Sequence, residues 1–134
     1  MTRVGRNMGE RDIAVLLRGM EPVLSEAPYG FAVWTGGALV LRPFATVAED
    51  EGLTVVAGLA EMQAEGLASD PWARISLTIH SDLAAVGLAA TLATALAEFG
   101  ISANVIAGFH HDHIFVQWDR RHEALAALRA LSRA

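Results

Sequence analysis

The sequence predicts an α+β fold in which antiparallel sheets are packed by helices, and three observations carry that reading. Strand-like alternation and helix-like runs follow one another along the 134-residue chain. Hydrophobic residues make up 53% and charged residues 19%, which is ample material for a core and argues against disorder. Residues 72–132 order as strand, helix, strand, strand, helix, and the N-terminal half contains the same kinds of element. A chain of this length is one ordinary domain, or two small subdomains that share a core.

The C-terminal half is the clearer one. Residues 72–80 alternate, with Ile75, Leu77 and Ile79 on one face and Ser76, Thr78 and His80 on the other, as a half-buried strand does. Ser81 or Asp82 is then placed to cap a helix over 83–99, and Gly100 to stop it. Residues 101–107 form the next strand, and 108–112 turn it into 114–118 as an antiparallel hairpin. The last helix covers 120–132, with Ala124, Leu125, Leu128 and Leu131 on one face. This is β-α-β-β-α, whereas a ferredoxin-like unit reads β-α-β-β-α-β and lays its final strand beside its first. Without that strand, 74–80 would keep an open apolar edge. The N-terminal half, or a second chain, must supply the neighbour.

The N-terminal half has the material. A short helix over 12–18 is broken at Glu21-Pro22. Residues 29–34 alternate as a strand, and Gly36-Gly37 turns it toward a second strand at 38–41. The acidic run Glu49-Asp50-Glu51-Gly52 reads as a solvated loop before a third strand, 53–57. A helix follows from Leu59 to about Glu65, and Ser69-Asp70-Pro71 turns the chain into Trp72. Trp34, Trp72 and Trp118 read as core or interface anchors. The halves divide as 1–71 and 72–134, interlocked by strand sharing.

Composition excludes several functions. A net charge of −5 opposes nucleic-acid binding, which needs clustered Lys and Arg. The absence of cysteine removes disulfides, thiolate chemistry and Cys-based zinc sites. Residues 13–17 are too short for a signal peptide's apolar core, so a cytoplasmic protein is expected. The uncharged run 83–97 falls short of the roughly 20 apolar residues that span a membrane. No Gly-x-Ser-x-Gly elbow, dinucleotide fingerprint or phosphate loop is present, and no catalytic residue or cofactor is expected.

The segments EDEGLTVV (49–56), ISLTIHSDLAAVGLAA (75–90) and ANVIAGFHHDHIFV (103–116) resemble those of small bacterial ACT-domain proteins built from two fused ACT-like units, and LLRGMEPVL (16–24) fits the same family. The resemblance implies tandem ferredoxin-like βαββαβ subdomains. It also implies an amino acid or similar effector bound at a domain interface near the first strand-to-helix loop, and pairing as a homodimer. Asp82 departs from the pattern, standing where a second serine is expected.

Physical chemistry places the effector in the same region. A helix N-terminus offers unpaired N–H groups and a positive dipole end to a carboxylate, here the N–H groups of Leu83, Ala84, Ala85 and Val86. Gly87 permits close approach, and Asp82 either caps the helix or takes an ammonium group. His80 and Ser81 lead into this entry, and Asn104 offers an amide that both donates and accepts. His111, Asp112 and His113 form the far wall on the hairpin. The expected function is a non-enzymatic regulatory module that binds a small effector. Two alternatives stand beside it: a metal site or metal-dependent enzyme using His80, His111 and His113, and a purely structural assembly subunit.

Overall fold

The structure, a computed structural model, describes residues 12–79 and 86–133. In chain order its elements are α1 (Ile13–Gly19), β1 (Pro22–Leu24), β2 (Tyr29–Trp34), β3 (Ala45–Glu49), β4 (Gly52–Gly58), α2 (Leu59–Ala64), β5 (Trp72–Leu77), α3 (Leu88–Ala97), β6 (Asn104–Ala107), β7 (Asp112–Gln117) and α4 (Arg121–Ser132). The described residues form two compact units, one of those up to Ser25 together with those from Arg74 onward, and a smaller one of Glu26–Ala73.

In the larger unit, Asp12 caps α1 by accepting hydrogen bonds from the N–H groups of Ala14 and Val15 at 2.9 and 3.3 Å. Pro22 cannot continue the helix and sends the chain out in extended form as β1. This three-residue strand is the missing neighbour. It runs antiparallel to β5 with Pro22 opposite Leu77 and Leu24 opposite Ile75. Beyond its ends, the Ser25 N–H donates to the Arg74 carbonyl at 2.9 Å, and the Thr78 N–H to the Glu21 carbonyl at 3.3 Å. The strand order β1-β5-β7-β6 is that of a ferredoxin-like sheet whose final strand arrives from upstream in the sequence.

Helices cover one face of that sheet. Leu88, Leu92 and Leu96 form a stripe on α3, and Ala124 and Leu128 on α4. They are buried, as are Leu16 of α1, Ile75 and Leu77 of β5, and Ile114 and Val116 of β7. The stop of α3 follows expectation. Gly100 adopts a left-handed φ of +68°, and the Ile101 N–H returns to the Leu96 carbonyl at 3.0 Å, which closes the C-terminal turn of the helix.

The start of α3 corrects the sequence reading. The expected helix begins near residue 83, but the observed one begins at Leu88 with Gly87 as its N-cap. Gly87 has φ +91°, and a left-handed residue cannot sit inside a right-handed helix. Residues 80–85 lie outside the described residues.

The smaller unit has strand order β3-β4-β2, and Trp72 at the start of β5 pairs with Tyr29. Its strands and its helix α2 therefore follow the same plan, but no helix follows β2. Residues 35–44 form a loop, and Leu39 and Leu41 pack on the cluster of Val55, Ala57 and Met62. The expected strand at 38–41 is thus absent, because its leucines serve the core from a loop. The partner of β4 is β3, joined by the two-residue turn Asp50-Glu51 with Glu49 opposite Gly52. The acidic run is a hairpin turn, and the Thr54 hydroxyl donates to the Glu49 carboxylate across it. Trp34 packs on the same cluster, and Trp72 meets Phe31 edge to face at 5.8 Å.

Gly30 tests this packing. A Cβ there would lie 2.7 Å from Met62 Sδ and 2.9 Å from Ser69 Cβ, while Ser69 Oγ accepts from the Phe31 N–H at 2.9 Å. Gly30→Ala should therefore lower stability by about 1–3 kcal/mol through overpacking. Urea denaturation should show a lower midpoint at unchanged slope.

Candidate functional site

The end of β5 and the β6–β7 hairpin bring the polar residues together. β5 and β7 are neighbours, and Ser76 Oγ lies 2.7 Å from His113 Nδ1. Ser76 is next to last in β5 and His113 second in β7, so the exit of β5 and the hairpin tip share one end of the larger unit's sheet.

Register sets which side chains share a face. Asn104 lies opposite Phe115, Ile106 opposite His113, and Ala107 opposite Asp112. Paired residues point to the same side, so Asn104, Ile106, His113 and Phe115 lie on one face with Ser76, and Asp112 belongs to the other. Asn104 is three residues before the end of β6, about 10 Å from the tip. Its amide N–H reaches the Phe115 carbonyl at 3.5 Å, a long contact that holds it weakly.

The tip is a tight turn. The Gly108 N–H donates to the His111 carbonyl at 2.9 Å, and a Cβ on Gly108 would sit 2.8 Å from that oxygen and 3.5 Å from His113 Nε2. The missing side chain is what lets the turn close over the His113 ring. Phe109 is half exposed and stands edge-on to His110 at 5.1 Å.

Burial is the main cause that holds the His113 imidazole below its usual pKa, and the Arg74 and His111 charges push the same way; Asp112 opposes them. A neutral His113 hydrogen-bonded to Ser76 is therefore the favoured form near neutral pH. It offers a donor or an acceptor according to its tautomer.

Of the twelve sequence-predicted site residues, the structure gathers His111, Asp112 and His113 at the tip and sets Asn104 further along the hairpin. His80, Ser81, Asp82, Leu83, Ala84 and Ala85 lie outside the described residues. Val86 is a correction, since it precedes α3 and is 85% exposed, and so is no helical donor. The N–H groups at the start of α3 with no partner inside the helix are those of Leu88, Ala89 and Ala90. Among the described residues, no three His, Asp or Glu side chains converge as metal ligands. Sequence reasoning missed Ser76 and Arg74 as partners of His113. The polar alternation of β5 displayed Ser76, but only a non-consecutive strand pairing sets it beside the hairpin.

The sign of the His113 effect is testable. Its folded-state pKa lies below the unfolded value near 6.5, so the unfolded chain binds the proton first as pH falls. The contribution is fully present above pH 6.5 and is lost as pH drops through the folded pKa. The wild type should lose more Tm than His113→Gln between pH 7.5 and 5.5, and NMR should show the His113 ring titrating below 6.5.

Residues 8–74 and 67–130 each match a family model described as ACT domain. None of the curated proteins matches the chain. Among solved structures, a Vibrio cholerae protein of unknown function, described as a possible transport protein, is 47% identical, covering 90% of this chain and 95% of its own, with a TM-score of 0.80. An Agrobacterium tumefaciens protein is 17% identical over 84% of this chain and 89% of its own, with a TM-score of 0.69. The ligand-free regulatory subunit of aspartate kinase from Thermus thermophilus is 7% identical over 84% and 98%, with a TM-score of 0.57. At these identities the last two show the fold alone.

Proposed function

Because the chain belongs to the ACT-domain family, as two ACT-type units in tandem, it has the architecture of a ligand-binding regulatory module, and we propose that it is non-enzymatic and binds a free amino acid or a similar small effector. The subdomains of this proposal are 1–71 and 72–134, interlocked because β1 of the first completes the sheet of the second beside β5.

The observation that supports the reading is the convergence of the β5 exit and the β6–β7 hairpin at one end of the sheet, tied by the Ser76–His113 hydrogen bond. In this proposal the effector's carboxylate meets the chain between His80 and Gly87 and the first N–H groups of α3. Asp82 takes an ammonium group, Asn104 and His113 offer a wall from one face of the hairpin, and His111 and Asp112 close the site at its tip. A polar cluster on an apolar scaffold fixes the orientation of a small ligand while the scaffold supplies the burial. We further propose that the working form is a cytoplasmic homodimer, a state that analytical ultracentrifugation reads directly.

Thermal denaturation against a panel of free amino acids tests the function. A ligand at 100 times its Kd should add about 2.7 kcal/mol of stability, visible as a raised Tm. Asp112→Asn and His113→Gln should each reduce that shift. A panel in which no amino acid moves the Tm would sink the proposal.

A further inference from the structure

The smaller unit carries a cleft of its own. β2 and β3 both run antiparallel to β4, so the entrances of β2 and β3 and the exit of β4 lie at one edge of this unit. There a cleft of about 510 Å³ opens, with Arg42 and Glu61 among its walls. It lies at the opposite end from Trp34, where β2 leaves the sheet and where an ACT-type strand-to-helix loop would stand. No helix follows there, so this unit lacks that loop.

The walls are fixed before any ligand arrives. Pro28 and Pro43 restrict the two loops. The Leu59 N–H donates to the Pro28 carbonyl at 3.0 Å, and the Phe44 N–H to the Val56 carbonyl at 2.7 Å, which ties one loop to the start of α2 and the other to β4. Tyr29 and Phe44 pack edge to face at 5.8 Å and give a rigid apolar side. A preformed wall reduces the ordering cost of binding.

The two charges differ in sign, and neither is engaged by another described residue. Gly58 lines the cleft without a side chain; a Cβ there would meet Glu61 Oε1 at an ordinary contact distance of 3.7 Å, so a larger side chain at this position projects into the cleft beside Glu61. Arg42 presents a planar fork suited to a carboxylate, and Glu61 an acceptor suited to an ammonium. A dicarboxylate would bring its second charge against Glu61, and a plain amine would leave Arg42 unanswered. We propose that this cleft is a second small-molecule site, which takes a zwitterion bearing a carboxylate, an ammonium and an apolar group.

Three probes with one aromatic skeleton test it: L-phenylalanine, 3-phenylpropionate without the ammonium, and phenethylamine without the carboxylate. In nitrogen-edited NMR titrations of the full chain, L-phenylalanine should shift the amides of Tyr29, Phe44, Gly58 and Leu59 saturably, and each single-charge probe should bind at least tenfold more weakly. Gly58→Leu should abolish the response by projecting into the cleft, and Arg42→Ala should weaken it at least tenfold; should the Leu variant not fold, Arg42→Ala alone decides. Equal binding by all three probes, an unchanged response in Arg42→Ala, or no saturable shift at these amides would overturn the proposal. Shifts confined to residues 104–113 would overturn it while supporting the effector site of the larger unit. Shifts confined to the cleft would support it alone.

Discussion

The open edge of β5 is the constraint on which the larger unit depends. A central strand with buried Ile75 and Leu77 needs a partner on each side. β7 takes one side, and the three residues of β1 take the other. That short strand completes the sheet, and α1 arrives with it and contributes the buried Leu16. The site at the end of β5 stands on this completed frame, because Ser76 holds His113 only while β5 and β7 remain adjacent.

Much of this was legible in the letters. Alternation marks 29–34 and 72–77, Asp12 and Gly100 bound their helices, and the five-element order exposed a strand that had to come from elsewhere. What escaped has physical reasons. Pro22–Leu24 is too short to show alternation, and its strand character comes from its partner. Leu39 and Leu41 look like a strand because loops that serve a core also need apolar residues. At α3, the run after residue 82 is helix-like throughout, and only the backbone angle of Gly87 reveals where the helix starts. For the site, the hairpin histidines were visible, but Ser76 and Arg74 join them through a pairing between strands far apart in sequence.

The two units share a plan and differ in one element. The larger keeps both helices, and the smaller replaces the first with the loop 35–44, anchored by its leucines. That substitution removes a helix N-terminus, and with it a ready set of backbone donors. The smaller unit keeps only the N-terminus of the short α2, and Arg42 and Glu61 are the charged side chains at its cleft. Tandem units of one ancestry of fold can thus present chemically different surfaces.

The position of β1 also bears on the order in which the chain assembles. β1 and β5 are separated by the whole of the smaller unit, so their pairing closes a long loop, and the entropy of closure opposes it. The smaller unit removes part of that penalty if it forms first, because its own pairing of Tyr29 with Trp72 already brings the chain back on itself. Only a few residues then separate Leu24 from its partner Ile75, and loop-closure statistics make the remaining step easier by roughly 2 kcal/mol. The smaller unit thereby acts as a clasp, and a lesion in its core should delay the sheet of its neighbour as well as its own.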